Sequence, residues 1–279
     1  VRPVVVTIVA LGVAFSAALF AWERRTTVAR ADVTTVAPLP AFPENVNPVP
    51  GGFSGRSYTE NGIVYRYQIF YPHDYAATKV WPTIVALHSS GERGSDGVRQ
   101  LSVGLGAYVR EHSATFPAVV VFPQVPVGEK GQRHNPAIRR LVDSALREVN
   151  ADPRRVYLTG LSAGGVQVYD FIYHYPGRFA AAIPVAATTA MMRPDSSGWM
   201  TSAEAYAAEA HALGSTPIWI FHGADDQILP VVETRKAVEV FRAAGVPVKY
   251  TEYPDGPHVI WDRVYQTPGL WSWLFAQHR

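Results

Sequence analysis

Gly160-Leu161-Ser162-Ala163-Gly164 sets a serine two residues from glycine on either side, directly after the β-branched and aromatic run Val156-Tyr157-Leu158-Thr159. The pattern suits a nucleophile lifted on a sharp strand-to-helix turn, where small neighbours let the chain fold back and expose the hydroxyl. The pentapeptide alone is common by chance. Its weight depends on a strand before it, a helix after it, and an acid and a histidine arriving later in the chain.

A serine hydroxyl is a weak nucleophile at neutral pH, so it needs a base within hydrogen-bond reach, oriented in turn by a carboxylate. After Ser162 come His174, His211, His222, His258 and His278. His258 lies in PDGPHVIW, a glycine- and proline-rich turn after the last predicted strand, and position in the chain selects it as the base. Imidazole titrates near working pH, which fits it for the proton relay. For the acid, FHGADDQILP offers Asp225 and Asp226 side by side after a predicted strand. Asp255, in Pro-Asp-Gly, has the setting of a turn former. A developing oxyanion needs two donors. The Ala163 amide, first in the following helix, supplies one, and His88-Ser89-Ser90-Gly91 supplies the other, with Ser90 the chosen donor.

These loops need elements to carry them. Ile63 to Tyr71 alternates as a half-buried antiparallel strand does, whereas Pro82 to Leu87 and Ala118 to Phe122 are continuous apolar runs, as in parallel strands covered on both faces. Further strands are expected over Phe179 to Val185, Pro217 to Phe221 and Val248 to Tyr253. Helices are expected over Leu101 to His112, Asn135 to Asn150, Ala163 to Tyr175, Val231 to Ala244 and Leu270 to Gln277. Strands alternating with helices predict an α/β fold with a mostly parallel sheet flanked by helices on both faces. In such sheets ligands sit beyond the carboxyl ends of the strands, and the Ser162, His88, Asp226 and His258 loops all follow strands.

The 279 residues are 48% hydrophobic, enough for one large domain, and carry no cysteine, which removes disulfides and thiolate metal sites. A net charge of +2 leaves no basic surface for nucleic acid, and Arg139-Arg140 and Arg154-Arg155 read as solvated charges. There is no H-E-x-x-H, no phosphate loop and no dinucleotide fingerprint, so no metal and no cofactor is expected.

Residues 1–31, with an apolar run from Val4 to Trp22 and Ala29-Arg30-Ala31 beyond it, read as a signal peptide or a retained membrane anchor. The expected products are an exported chain, a proline- and glycine-rich linker or arm over 32–57, and a catalytic domain over 58–279. Between two predicted strands, Ala187 to Ser215 holds Met191, Met192, Trp199 and Met200, which suit either an acyl-binding mouth or a helix packed on the body. Trp219 and Trp261, beside the acid and base loops, read as core.

Taken together, YPHDY, LHSSGERGSD, VFPQVP, DPRRVYLTGLSAGG, YPGRFAAAIPVAA, FHGADDQILP and GPHVIWDRVY resemble the α/β-hydrolase serine esterases that include polyhydroxybutyrate-depolymerase-like, feruloyl-esterase-like and "predicted peptidase" proteins. The similarity runs from about Asn61 to Gln277. It implies a carboxylic ester hydrolase acting through acyl-Ser162 on a small-molecule or polymer ester. The family's His-Gly-x-x-Asp-x-x-Val-Pro loop matches His222, Gly223, Asp226 and Pro230, which ranks Asp226 above Asp225. Relatives usually have glycine where this chain has Ser89; if backbone freedom is needed there, the oxyanion loop is altered. Two alternatives stand beside the esterase: a peptidase or amidase with the same triad, and a non-catalytic hydrolase-fold protein of the cell envelope.

Overall fold

Tyr157 and Leu158 point to opposite faces of the strand that runs up to Ser162, and each face packs its own layer of helices. The computed structural model describes residues 47–128, 135–189 and 202–279, all within one compact unit. Their strands are β1 (Gly52–Glu60), β2 (Ile63–Tyr71), β3 (Trp81–Leu87), β4 (Val119–Pro123), β5 (Ala151–Leu161), β6 (Ala181–Val185), β7 (Ile218–Gly223) and β8 (Val248–Tyr253). They form one sheet in the order β1-β2-β4-β3-β5-β6-β7-β8. The β1–β2 and β2–β4 pairs are antiparallel and all the others parallel.

The helices are α1 (Gly104–Glu111), α2 (Asn135–Glu148), α3 (Ala163–His174), α4 (Ser202–Leu213), α5 (Val231–Ala243), α6 (Trp261–Tyr265) and α7 (Leu270–Phe275). On one face Val156 and Leu158 meet Ile138, Leu141, Val168, Ile172 and Phe241 from α2, α3 and α5. On the other, Tyr157 and Leu161 meet Leu105, Val109, Val264, Leu270 and Leu274 from α1, α6 and α7. Every residue of β4 is buried, the signature of a strand covered twice. Full burial of each such Val or Leu contributes about 1.5–3 kcal/mol. The central strand is thereby fixed against two cores before Ser162 is reached.

The expected arm ends earlier than the sequence indicated. Residues 52–57, assigned to the linker, belong to β1, paired with β2 from Gly52↔Tyr71 to Glu60↔Ile63. The turn between them is Asn61-Gly62, with φ of 50° and 79°, the two-residue turn whose twist matches a hairpin. Polar burial hid the strand. Ser54 and Arg56 are buried, and the Arg56 guanidinium holds Glu148 of α2 at 2.6 Å and donates to the Tyr71 hydroxyl at 3.2 Å. Arg139 also departs from the solvated reading: it is only 13% exposed and pairs with Asp170 of α3 at 2.5 Å, tying α2 to α3.

The N-terminal run, most of the arm, and Met191, Met192, Trp199 and Met200 lie outside the described residues. No helix among the described residues is long and apolar enough to cross a membrane. Within the segment from Ala187 to Ser215, α4 buries Ala205, Tyr206, Ala210 and Leu213 against the body.

That helix also buries Glu209 completely, and neither carboxyl oxygen has a hydrogen-bond partner among the described residues. Burial pushes its carboxyl well above the usual 4.5. The folded state therefore holds a proton that the unfolded chain releases, and stability falls as pH rises above about 4.5. Glu209→Met keeps the length of the side chain and removes the orphaned polar atoms. It is expected to raise stability by about 1–3 kcal/mol at pH 7, and by less at pH 4.5, as measured by paired thermal melts.

Candidate active site

Ser162 stands alone between β5 and α3 with φ 51° and ψ −113°, a conformation that L-residues avoid and that turns the chain back on itself. Holding it costs about 1–3 kcal/mol, so the surroundings must over-determine it. They do so by close approach. A Cβ on Gly164 would lie 2.2 Å from the Leu87 carbonyl oxygen, so the first turn of α3 rests directly on the end of β3. The Ser162 amide donates to Val185 O at 2.9 Å and its carbonyl accepts from Val166 at 3.0 Å, pinning the turn to β6 and to its own helix.

His258 Nε2 lies 2.8 Å from Ser162 Oγ, and His258 Nδ1 lies 2.6 Å from Asp226 Oδ2. All three side chains are buried, between 5% and 6% exposed. The acid and base turns interlock: a Cβ on Gly223 would lie 2.2 Å from Gly256 O, and Asp225 N donates to that same carbonyl at 2.9 Å. Asp225 itself is exposed, so of the adjacent pair only Asp226 faces the histidine. Asp226 Oδ1 accepts from Ile228 N and Leu229 N, both at 2.8 Å. Burial acts to raise this carboxyl, but the donors from His222, His258 and the Leu229 amide outweigh it and hold it below the usual carboxylate range. Trp261, in the core as expected, sets its ring edge-on to His258 at 5.8 Å between centroids.

The other candidates lie elsewhere. Asp255 is exposed and pairs with Arg263 at 3.0 Å. His174, His211 and His278 are exposed. A cavity of about 620 Å³ between the β1–β2 hairpin and α2 is lined by Tyr65, Val127 and Arg140 among others, and none of Ser162, Asp226 or His258 reaches it.

In the loop after β3, Ser89 begins a tight 3-10 turn over Ser90–Glu92 at φ −75° and ψ 174°, ordinary extended backbone, so no glycine is required there. Its amide and hydroxyl donate to Glu92 Oε2 at 3.1 and 2.7 Å, and Gly91 N donates back to Ser89 Oγ at 3.3 Å. This is a capping box. Serine at this place thus replaces backbone freedom with a fixed cap. The loop beyond is bound by buried Gln124, which accepts from Gly97 N at 2.7 Å and donates to Glu92 O at 3.1 Å. Half-buried Ser90 and the first helical residue, Ala163, keep amides with no partner among the described residues. Neither Glu92 nor Gln124 was singled out from the sequence, though Ser89-x-x-Glu92 carries the capping-box spacing.

His88 anchors the same loop. Its Nδ1 faces Ser89 O at 2.6 Å, and a carbonyl only accepts, so Nδ1 carries the proton. Its Nε2 accepts from Val125 N at 2.9 Å, which requires the neutral ring. Burial lowers its pKa from 6.5 to about 4. The unfolded chain therefore binds the proton first, and stability is lost as pH falls from 6.5 toward 4, by on the order of 3 kcal/mol. Thermal melts across that range should show a flatter acid limb for His88→Gln than for the wild type.

The sequence also matches a known family over much of its length. The prolyl oligopeptidase family model covers residues 128–277, just over half of the sequence, including Ser162, Ala163, Asp226 and His258. The chain belongs to the prolyl oligopeptidase family. It has the α/β-hydrolase fold, and the resemblance to serine esterases holds as well. Acetylxylan esterase A of Emericella nidulans is 26% identical over 158 residues, covering 52% of this chain and 49% of that protein. Poly(3-hydroxyalkanoate) depolymerase C of Paucimonas lemoignei is 40% identical over 57 residues, 20% of this chain and 14% of that one. The crystal structure of a thermostable esterase superposes with a TM-score of 0.68 at 27% identity, over 81% of this chain and 63% of that one. The chain spans about half the length of the first of these curated relatives and a smaller part of the second.

Proposed function

We propose that this prolyl oligopeptidase family member is a serine hydrolase that cleaves carboxylic esters through an acyl-Ser162 intermediate. The observation that carries the reading is the unbroken hydrogen-bond chain from Ser162 Oγ through His258 to Asp226, at 2.8 and 2.6 Å. Ser162 Oγ attacks the ester carbonyl carbon while His258 Nε2 takes the hydroxyl proton. The Ala163 and Ser90 amides receive the charge that develops on the carbonyl oxygen. Each such donor is worth about 10²–10³ in rate. His258 returns the proton to the departing alkoxide, then draws a proton from water, which attacks the acyl carbon and frees Ser162. Asp226 keeps the imidazole in the tautomer with the proton on Nδ1.

The names of the two curated relatives support an ester on a polysaccharide or within a polyester as the substrate class. The apolar run from Val4 to Trp22 supports export, with the catalytic domain outside the cytoplasm. A second reading, hydrolysis of small-peptide amides by the same residues, is favoured by the prolyl oligopeptidase family match. A graded series of p-nitrophenyl esters run beside peptide anilides separates the two. The ester reading expects turnover of the esters with anilides slower by orders of magnitude; the reverse order supports the peptidase, and turnover of neither contradicts both.

A further inference from the structure

Asp226 is held by two histidines. His222, on β7 and completely buried, places Nε2 3.0 Å from Asp226 Oδ2, the oxygen that also accepts from His258 Nδ1 at 2.6 Å. The same Nε2 lies 2.8 Å from Leu229 O. That carbonyl can only accept, so Nε2 carries a proton and shares it between Leu229 and Asp226. The other nitrogen, Nδ1, lies 2.8 Å from Thr234 Oγ1 on α5, and Thr234 Oγ1 lies 3.1 Å from Ala187 O beyond β6. The ring is thus gripped at both ends, by the acid loop and by α5. It has no freedom to swing away from the carboxylate.

We infer that His222 is a positioning residue for hydrolysis: it fixes the Asp226 carboxylate in the plane that meets His258 and takes up part of the charge that His258 would otherwise face. The inference rests on the proposed roles of Ser162, His258 and Asp226. Asp226 Oδ1 is already committed to two backbone amides, so Oδ2 alone is shared, and its two donors are the imidazoles. Without His222 the carboxylate keeps its backbone anchors but loses the donor that opposes His258. It then holds the Nδ1 proton more tightly and with looser geometry. The remaining charged groups facing His222 sit on β8 and α5. Glu252 pairs with His222 across the β7–β8 register and is itself bound by Arg235 and the Tyr250 hydroxyl. These stay in place when His222 is changed.

The test uses the full chain with His222→Leu, His222→Gln and Thr234→Val, read by kcat, KM and the kcat/KM pH profile on a short p-nitrophenyl ester. The far-downfield Nδ1 proton resonance of His258 is followed in the free protein. His222→Leu is expected to lower kcat about 10- to 100-fold with KM nearly unchanged, as loss of a charged hydrogen bond would. The acid limb of its profile moves to higher pH and the resonance shifts or broadens. His222→Gln, whose amide nitrogen replaces Nε2, recovers most of the rate. Thr234→Val fills the same volume, removes the anchor at Nδ1 together with the hydrogen bond to Ala187 O, and gives a smaller loss in the same direction.

A folded His222→Leu with wild-type kcat, acid limb and resonance overturns the inference. Should His222→Leu not fold, a Thr234→Val protein identical to wild type in all three readouts overturns it instead. If the wild type hydrolyses no ester, the functional reading fails on its own, and the resonance still decides whether His222 positions the pair.

Discussion

Ser162→Ala and His258→Ala are each expected to lower the turnover of a short ester by about 10⁵- to 10⁶-fold with KM changed little, and the double variant to be no slower than either alone. The non-additivity follows from geometry. Ser162 Oγ and His258 Nε2 share one hydrogen bond of 2.8 Å, so the base has no proton to remove without the hydroxyl, and the hydroxyl has no base without the imidazole. A residual rate of about 10³–10⁴ over water is expected from the oxyanion amides and substrate binding, because neither variant touches Ala163 or Ser90. Steady-state kinetics of the three purified proteins, with folding checked by circular dichroism, measure this directly. A double variant slower than both singles would mean that the two side chains act in separate steps.

Asp226→Asn is expected to give the second large effect, a fall in kcat of about 10⁴-fold. The carboxylate accepts on both oxygens: two backbone amides at 2.8 Å on one, two imidazoles on the other. An amide has only one acceptor atom. If its NH₂ turns toward the backbone, it meets the Ile228 and Leu229 N–H groups, donor against donor. If it turns toward His258, the ring must present Nδ1 as an acceptor, which moves the proton to Nε2 and points it at Ser162. The base is then in the wrong tautomer. Rate against pH for Asp226→Asn, with stability followed in parallel, distinguishes this from unfolding.

Much of the fold could be read in the sequence because its parallel strands are nearly pure apolar runs. Val119-Val120-Val121 and Ile218-Trp219-Ile220 could be little else. The elements that escaped are those whose burial is polar or whose length is small. β1 buries Ser54 and Arg56, so its pattern resembled a linker, although Asn61-Gly62 marked the hairpin. The short helix α6 carries too few turns for periodicity to register.

At the site, chain order alone brought Ser162 and His258 within reach of one another, since each follows a strand of the same sheet. The choice between Asp225 and Asp226 needed the resemblance, because neighbouring carboxylates in one turn differ only in which way they point. Ser89 shows the opposite limit. Its departure from glycine read as a possible loss, and only the cap on Glu92 reveals what the hydroxyl does. His222 was visible only as part of a spacing, since a buried imidazole bonded at both nitrogens leaves no periodic signature.

The most direct test is labelling of the folded protein with an activated fluorophosphonate, followed by peptide mass spectrometry to locate the adduct. A single phosphonyl group on Ser162, absent from His258→Ala under the same conditions, is the expected result. A folded wild-type protein that takes no label, or takes it at Ser89 or Ser90 instead, would contradict Ser162 as the nucleophile and with it the hydrolase reading.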